Sequence, residues 1–74
     1  MIIINKGYLD YFYETKNEYL YQVHNGVYLS FDKATLEYKD IVLYYLPFDF
    51  KSYQKASDDT INRLISKGIL EIRD

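Results

Sequence analysis

Apolar and polar residues alternate through the first half of the chain and fall into helical spacing in the second. Gly7 to Glu14 reads Gly-Tyr-Leu-Asp-Tyr-Phe-Tyr-Glu, a run rich in strand formers. Thr15-Lys16-Asn17-Glu18 is polar and turn-like. Tyr19 to His24 is strand-like again, and Asn25-Gly26 separates it from Val27-Tyr28-Leu29-Ser30-Phe31. Asn-Gly between two such runs signals a hairpin, because both central residues of a type I′ turn take positive φ. The expected register sets His24 opposite Val27, Gln22 opposite Leu29 and Leu20 opposite Phe31. Through the preceding turn it sets Tyr13 opposite Leu20 and Tyr11 opposite Gln22. Leu9, Tyr11, Tyr13, Leu20, Val27, Leu29 and Phe31 then share one face, which is assigned to the core. Tyr8, Asp10, Phe12, Glu14, Tyr19, Tyr21, Val23 and Tyr28 form a tyrosine-rich outer face. A slip of one residue would exchange the two faces.

The clearest helical pattern lies near the carboxyl end. Ser57 fits an N-cap, Asp58 and Asp59 suit the positive end of a helix dipole, and Ile61, Leu64 and Ile65 form one apolar stripe. Lys67 falls in the last turn and Gly68 is placed as the residue that ends the helix. The pattern predicts a helix from Asp58 to Lys67, and Ile69-Leu70-Glu71-Ile72 reads as an extended tail folding back onto the domain. Between the halves, Glu37 to Leu46 has Tyr38, Ile41, Val42 and Tyr45 at helical spacing, with Pro47 as its stop. The composition Ile-Val-Leu-Tyr-Tyr suits a strand equally well, but the run lacks alternation, so a helix is expected. Asp49 to Ala56 reads as a short further helix, with Phe50 and Tyr53 three apart.

The expected architecture is therefore α+β, a three-stranded antiparallel meander over 7–32 followed by three helices within 36–72. The 74 residues make one domain, 1–74, of a size that buries only roughly 60% of its unfolded surface. With 0 Cys and one His, neither disulfides nor a zinc site can support it, so the core must come from apolar side chains. Ten Tyr and 4 Phe supply that area. Tyrosine at this density also fits a surface for protein contact, since it offers contact area at little entropic cost. The net charge of −2 argues against broad attraction to phosphate backbones. Met1 to Lys6 contains three consecutive isoleucines, too few for a signal-peptide core or a membrane span. A cytoplasmic protein without a membrane partner is expected.

Chemistry of catalysis is sparse in the sequence. His24 precedes the tight turn, an exposed place, with no nucleophile visible beside it. Ser30, Ser52, Ser57 and Ser66 stand in no nucleophile-elbow pattern. Capping accounts for Asp58-Asp59, and calcium loops need more oxygen ligands at regular spacing. Gly7, Gly26 and Gly68 occur singly, so no phosphate-cradling loop exists. No enzyme activity, cofactor or metal is expected.

The run Gly26 to Tyr38, Gly-Val-Tyr-Leu-Ser-Phe-Asp-Lys-Ala-Thr-Leu-Glu-Tyr, resembles the strand, turn and helix entry of PqqD-like domains. Asp59 to Glu71, ending Leu-Ile-Ser-Lys-Gly-Ile-Leu-Glu, resembles the closing helix of the same family. These winged-helix domains, also called RiPP recognition elements, capture a precursor peptide for a separate modifying enzyme. The sequence departs from the family pattern at Glu37, where an Asn is usual. The resemblance implies a leader peptide added as an extra strand along the edge of the third strand. It carries the peptide-binding role to Val27, Tyr28, Leu29, Ser30 and Phe31, with Ile61, Leu64 and Ile65 lining the groove. For the three helix residues, plain core packing is the competing reading. Two other readings stay open. One is a winged-helix nucleic-acid binder, against which two carboxylates at the start of the last helix speak. The other is a small phage or host inhibitory protein acting through a tyrosine-rich contact.

Overall fold

The computed structural model describes residues 1–44 and 50–74. In chain order the elements are β1 (Ile2–Ile4), a 3₁₀ segment (Lys6–Tyr11), β2 (Tyr13–Glu14), β3 (Glu18–His24) and β4 (Val27–Asp32). These are followed by β5 (Tyr38–Leu43), α1 (Phe50–Ser66) and β6 (Leu70–Ile72). A four-stranded antiparallel sheet has the order β2-β3-β4-β5, and β1 pairs with β6 in a second, two-stranded sheet. The class is α+β, but the expected meander followed by three helices is not what forms. Among the described residues there are six strands in two sheets and one α-helix.

The largest correction concerns 37–46. Residues 38–43 form β5, a strand, with Tyr28 opposite Val42 and Leu29 opposite Ile41. Ile41 and Val42 are both half-buried although they point to opposite faces, which is why Ile41-Val42-Leu43 is continuously apolar and does not alternate. A helix here would have left one whole side of the β4 backbone without partners. Tyr45, Leu46 and the stop at Pro47 lie outside the described residues, as does Asp49.

The two short helices expected over 49–56 and 58–67 are one. α1 runs through Ser57, which is no N-cap: it sits mid-helix, fully buried. Tyr53, Ser57, Thr60 and Leu64 form the buried stripe at spacings of one helical turn, flanked by half-buried Ile61 and Ile65. Two of those four residues are polar, so apolar periodicity showed only part of the stripe. Asp58 and Asp59 are exposed mid-helix positions away from the dipole's positive end. Lys55 donates to Asp59 at 2.9 Å one turn on, an exposed pair that raises the Lys55 ammonium above its ordinary value. The helix end is as read: Gly68 has φ 78, its amide donates to the Ile65 carbonyl at 3.0 Å, and the Ile69 amide to Leu64 at 3.0 Å. That pair of bonds satisfies the last carbonyls and drops Ile69 beside Leu64 in the core. The tail does fold back: Ile2 pairs with Ile72 and Ile4 with Leu70.

Residues 7–11, expected as strand, form the 3₁₀ segment. The Asn5 side chain accepts from the Gly7 amide at 3.2 Å, and the Tyr8 amide donates to the Asn5 carbonyl at 2.9 Å. Tyr8, Leu9 and Phe12 then turn to the core at helical spacing.

Register decides the faces. His24 is opposite Val27 and Tyr13 opposite Leu20 as expected, but a bulge between Gln22 and His24 shifts everything between. Tyr21 faces Leu29, Tyr19 faces Phe31, and Leu20 faces Ser30. The turn is not type I′, since Gly26 takes φ 85 while Asn25 keeps a negative φ. Turns with unprimed geometry splay the strands, and the bulge adds local twist that brings them back. The inner face thus carries Tyr19, Tyr21, Leu29, Phe31 and Ile41, while Tyr13 and Leu20 move to the outer face with Tyr28. The inner residues pack on Ile4, Phe12, Leu36, Leu64, Ile69 and Leu70.

The β4–β5 connection is held by Asp32. Its carboxylate accepts from the amides of Ala34 at 2.8 Å and Thr35 at 2.9 Å. Those two amides, Thr35 first, hold the Asp32 carboxyl below its ordinary value. Leu36 then takes φ 66, a strained left-handed conformation for a branched side chain, and its buried side chain enters the core. Tyr38 follows; burial raises its phenol above the ordinary value, with further pushes from Asp40 and Asp58.

Candidate functional site

The residues expected to capture a peptide strand divide between two layers. β4 is an interior strand, paired along one side with β3 and along the other with β5. Val27, Leu29 and Phe31 are fully buried on the inner face, and Tyr28 and Ser30 point outward. An added strand has no edge to pair with along Val27–Phe31. Leu64 is buried in the core, and Ile61 and Ile65 pack against that core. They pack against the core on the inner side of the sheet, where β4 offers no open edge.

The outer edge of the four-stranded sheet belongs to β5. Its exposed Lys39 and Asp40 are charged, and the Asp40 carboxylate accepts the amide of Ile41 at 2.7 Å. A charged edge with a self-capped amide resists pairing with another chain.

The outer face of the sheet is different. Cross-strand pairing sets Tyr13 beside Leu20, Leu20 beside Ser30, and Tyr28 beside Val42. The rings of Tyr13 and Tyr28 meet edge to face at 6.2 Å, and those of Tyr28 and Tyr44 at 5.4 Å. The outer two remain open to solvent, Tyr13 at 60% and Tyr44 at 68% exposure, although Leu20 between the strands is buried. The result is an aromatic ladder across the sheet, its rings held by one another and their outer surfaces wet. Such rigid amphipathic rings are suited to contact with a partner, since little rotamer freedom is lost on binding.

At the other end of the face the chemistry is polar. The Ser30 hydroxyl donates to the Glu18 carboxylate, and the Lys39 ammonium lies 3.6 Å from the same carboxylate. A serine, a carboxylate and a lysine together resemble parts of a nucleophilic site. Ser30, at 1% exposure, cannot reach a substrate, and the cluster ties β3, β4 and β5 together. His24 sits exposed on the hairpin shoulder. Among the described residues no three His, Cys, Asp or Glu side chains come together to hold a metal ion, and no helix is long and apolar enough to cross a membrane.

Sequence reasoning placed Tyr28 on the outer face and missed its two companions. The sequence pattern turns Tyr13 inward because the bulge at Val23 leaves no mark in the composition, and it puts Tyr44 in a helix. The pairing of Tyr13 with Leu20 was the one usable signal for the ladder. No protein-family model, curated protein or solved structure matches this chain. The likeness to PqqD-like domains therefore rests on the two quoted stretches alone, in a chain whose described residues form one α-helix where that likeness implied three.

Proposed function

We propose that this chain is a non-catalytic binding module that docks another polypeptide against the outer face of its four-stranded sheet. The observation that carries the proposal is the exposed ladder Tyr13–Tyr28–Tyr44, with Leu20 and Val42 as its apolar floor. Aromatic side chains of this kind dominate the central, energy-bearing parts of protein interfaces. The polar end of the face, with Glu18, Ser30 and Lys39, forms a rim of the kind that surrounds such centres. A captured precursor peptide is one polypeptide that fits this reading, in face contact and not as a strand along β4. Binding to nucleic acid draws less support: the net charge is −2, and the exposed helix surface displays Asp58 and Asp59.

A photo-reactive amino acid placed at position 44, with a second protein carrying it at position 59 on α1, tests the proposal in the native host extract. Cross-links to one discrete polypeptide are expected from position 44 and not from 59. They should vanish when Tyr13 and Tyr28 are both changed to Ser. Equal cross-linking from both positions, or links to nucleic acid from either, would overturn it.

A further inference from the structure

The aromatic face continues past the end of β2 into a recess of about 400 Å³ lined by Asp10, Tyr11, Phe12, Tyr13, Tyr21 and Gln22. It exists because β2 is only two residues long. β2 pairs with Tyr19 and Leu20 and stops, so no strand of the described residues lies beside Tyr21 and Gln22 on that side. The chain instead turns through extended Phe12 into the 3₁₀ segment, which carries Tyr11 and Asp10 around the opening.

Four of the six lining residues are aromatic, and neighbours brace each of them. Phe12 is buried and packs edge to face on Tyr21 at 5.5 Å and on Phe31 at 5.4 Å. Tyr11 leans on Tyr8 at 5.5 Å and Tyr13 on Tyr28 at 6.2 Å, while both stay 60% exposed toward the opening. The sole charge in the lining is the carboxylate of Asp10, exposed and without an ion-pair partner among the described residues. Aromatic faces carry negative quadrupole potential, so rings gathered beside a carboxylate attract an organic cation. An anion would be repelled, and a purely apolar guest would cover Asp10 without pairing it. Guanidinium suits the place best, because it is planar, stacks on rings, sheds water readily and can grip a carboxylate with two donors.

We propose that this recess binds an arginine side chain of the partner polypeptide, the guanidinium held between Asp10 and the rings of Tyr11 and Tyr13. The inference rests on the docking reading of the neighbouring face, and it names the residue type that reading requires of the partner. The recess can be tested without the partner. ¹H–¹⁵N spectra of the whole chain are titrated with N-acetyl-arginine methylamide, with its neutral analogue N-acetyl-norleucine methylamide, and with tetramethylammonium chloride. The arginine probe should move the amides of residues 10–13 and Gln22 in a saturable way. The norleucine probe should leave them in place, and tetramethylammonium should bind more weakly than arginine. Asp10→Asn and Tyr11→Leu should each weaken arginine binding about fivefold or more, while amide positions elsewhere stay unchanged. Equal response to norleucine, preference for tetramethylammonium, no saturable shift, or two silent variants would each overturn the proposal. Cross-linking from position 44 reads the docking face separately, so failure there with arginine binding intact removes the partner and leaves the recess.

Discussion

The two faces of one sheet carry similar residues and meet different fates. On the inner face, Leu29 and Phe31 are fully buried with Tyr19, Tyr21 and Ile41 around them, because α1 and the β1–β6 ladder contribute Leu64, Ile4 and Leu70 on top. On the outer face, Tyr13, Tyr28 and Val42 stand over Leu20 with no element of the described residues above them. Tyrosine occurs on both. Its burial is set by which face the rest of the chain covers, since the ring accepts an apolar surround and the hydroxyl accepts water. A tyrosine-rich sequence can therefore build a core and a contact surface from the same alphabet.

The sharpest way to break this comparison is to delete one ring from each face. Phe31→Ala should cost about 3–5 kcal/mol of unfolding free energy. For a domain of this size the total is roughly 4–11 kcal/mol, so much of the fold is at stake. Tyr44→Ala should stay within about 1 kcal/mol, the worth of its edge-to-face contact with Tyr28. Urea denaturation of both variants reads the difference; comparable losses would mean that the outer face has a cover of its own.

A second test lies at the corner that feeds the inner face. Leu36→Ala should cost about 2–4 kcal/mol through the lost buried side chain. Leu36→Gly loses the same contacts but relieves the strain at φ 66, so it should be the more stable of the two by about 1 kcal/mol. At an ordinary backbone position the order is reversed, so thermal melts showing Ala above Gly would refute the left-handed conformation.

The smallest expected effect has the opposite sign. Ser57 presses on the core from the middle of α1, and its hydroxyl finds no hydrogen-bond partner among the described residues. Ser57→Ala should stabilise the fold by about 1 kcal/mol, removing an unsatisfied buried group and adding helix propensity. A drop in denaturation midpoint would show instead that the hydroxyl is bonded where it sits.

Much of the local structure could be read from residues, and the candidate site hardly at all. Gly68 ends the helix because the pattern before it needs a left-handed residue at that point. Asn25-Gly26 turns the chain between two strand-like runs, and polar 15–18 sets Tyr13 opposite Leu20. The aromatic ladder needed two further facts, the bulge at Val23 and the strand at 38–43. A bulge is one extra residue in a ladder, and any residue can be that one. Ile-Val-Leu satisfies helix and strand alike, so its neighbours had to choose.

By itself, then, the chain's chemistry determined where local geometry is forced: a glycine where φ must be positive, a polar run where strands reverse, an apolar stripe on the last helix. The tertiary structure decided which residues meet. β4 is buried and needs hydrogen-bond partners on both sides, so 38–43 became a strand, against its own periodicity. Period-two side chains then passed the one-residue shift at Val23 down the whole of β3, and that shift set which tyrosines face the core and which face water.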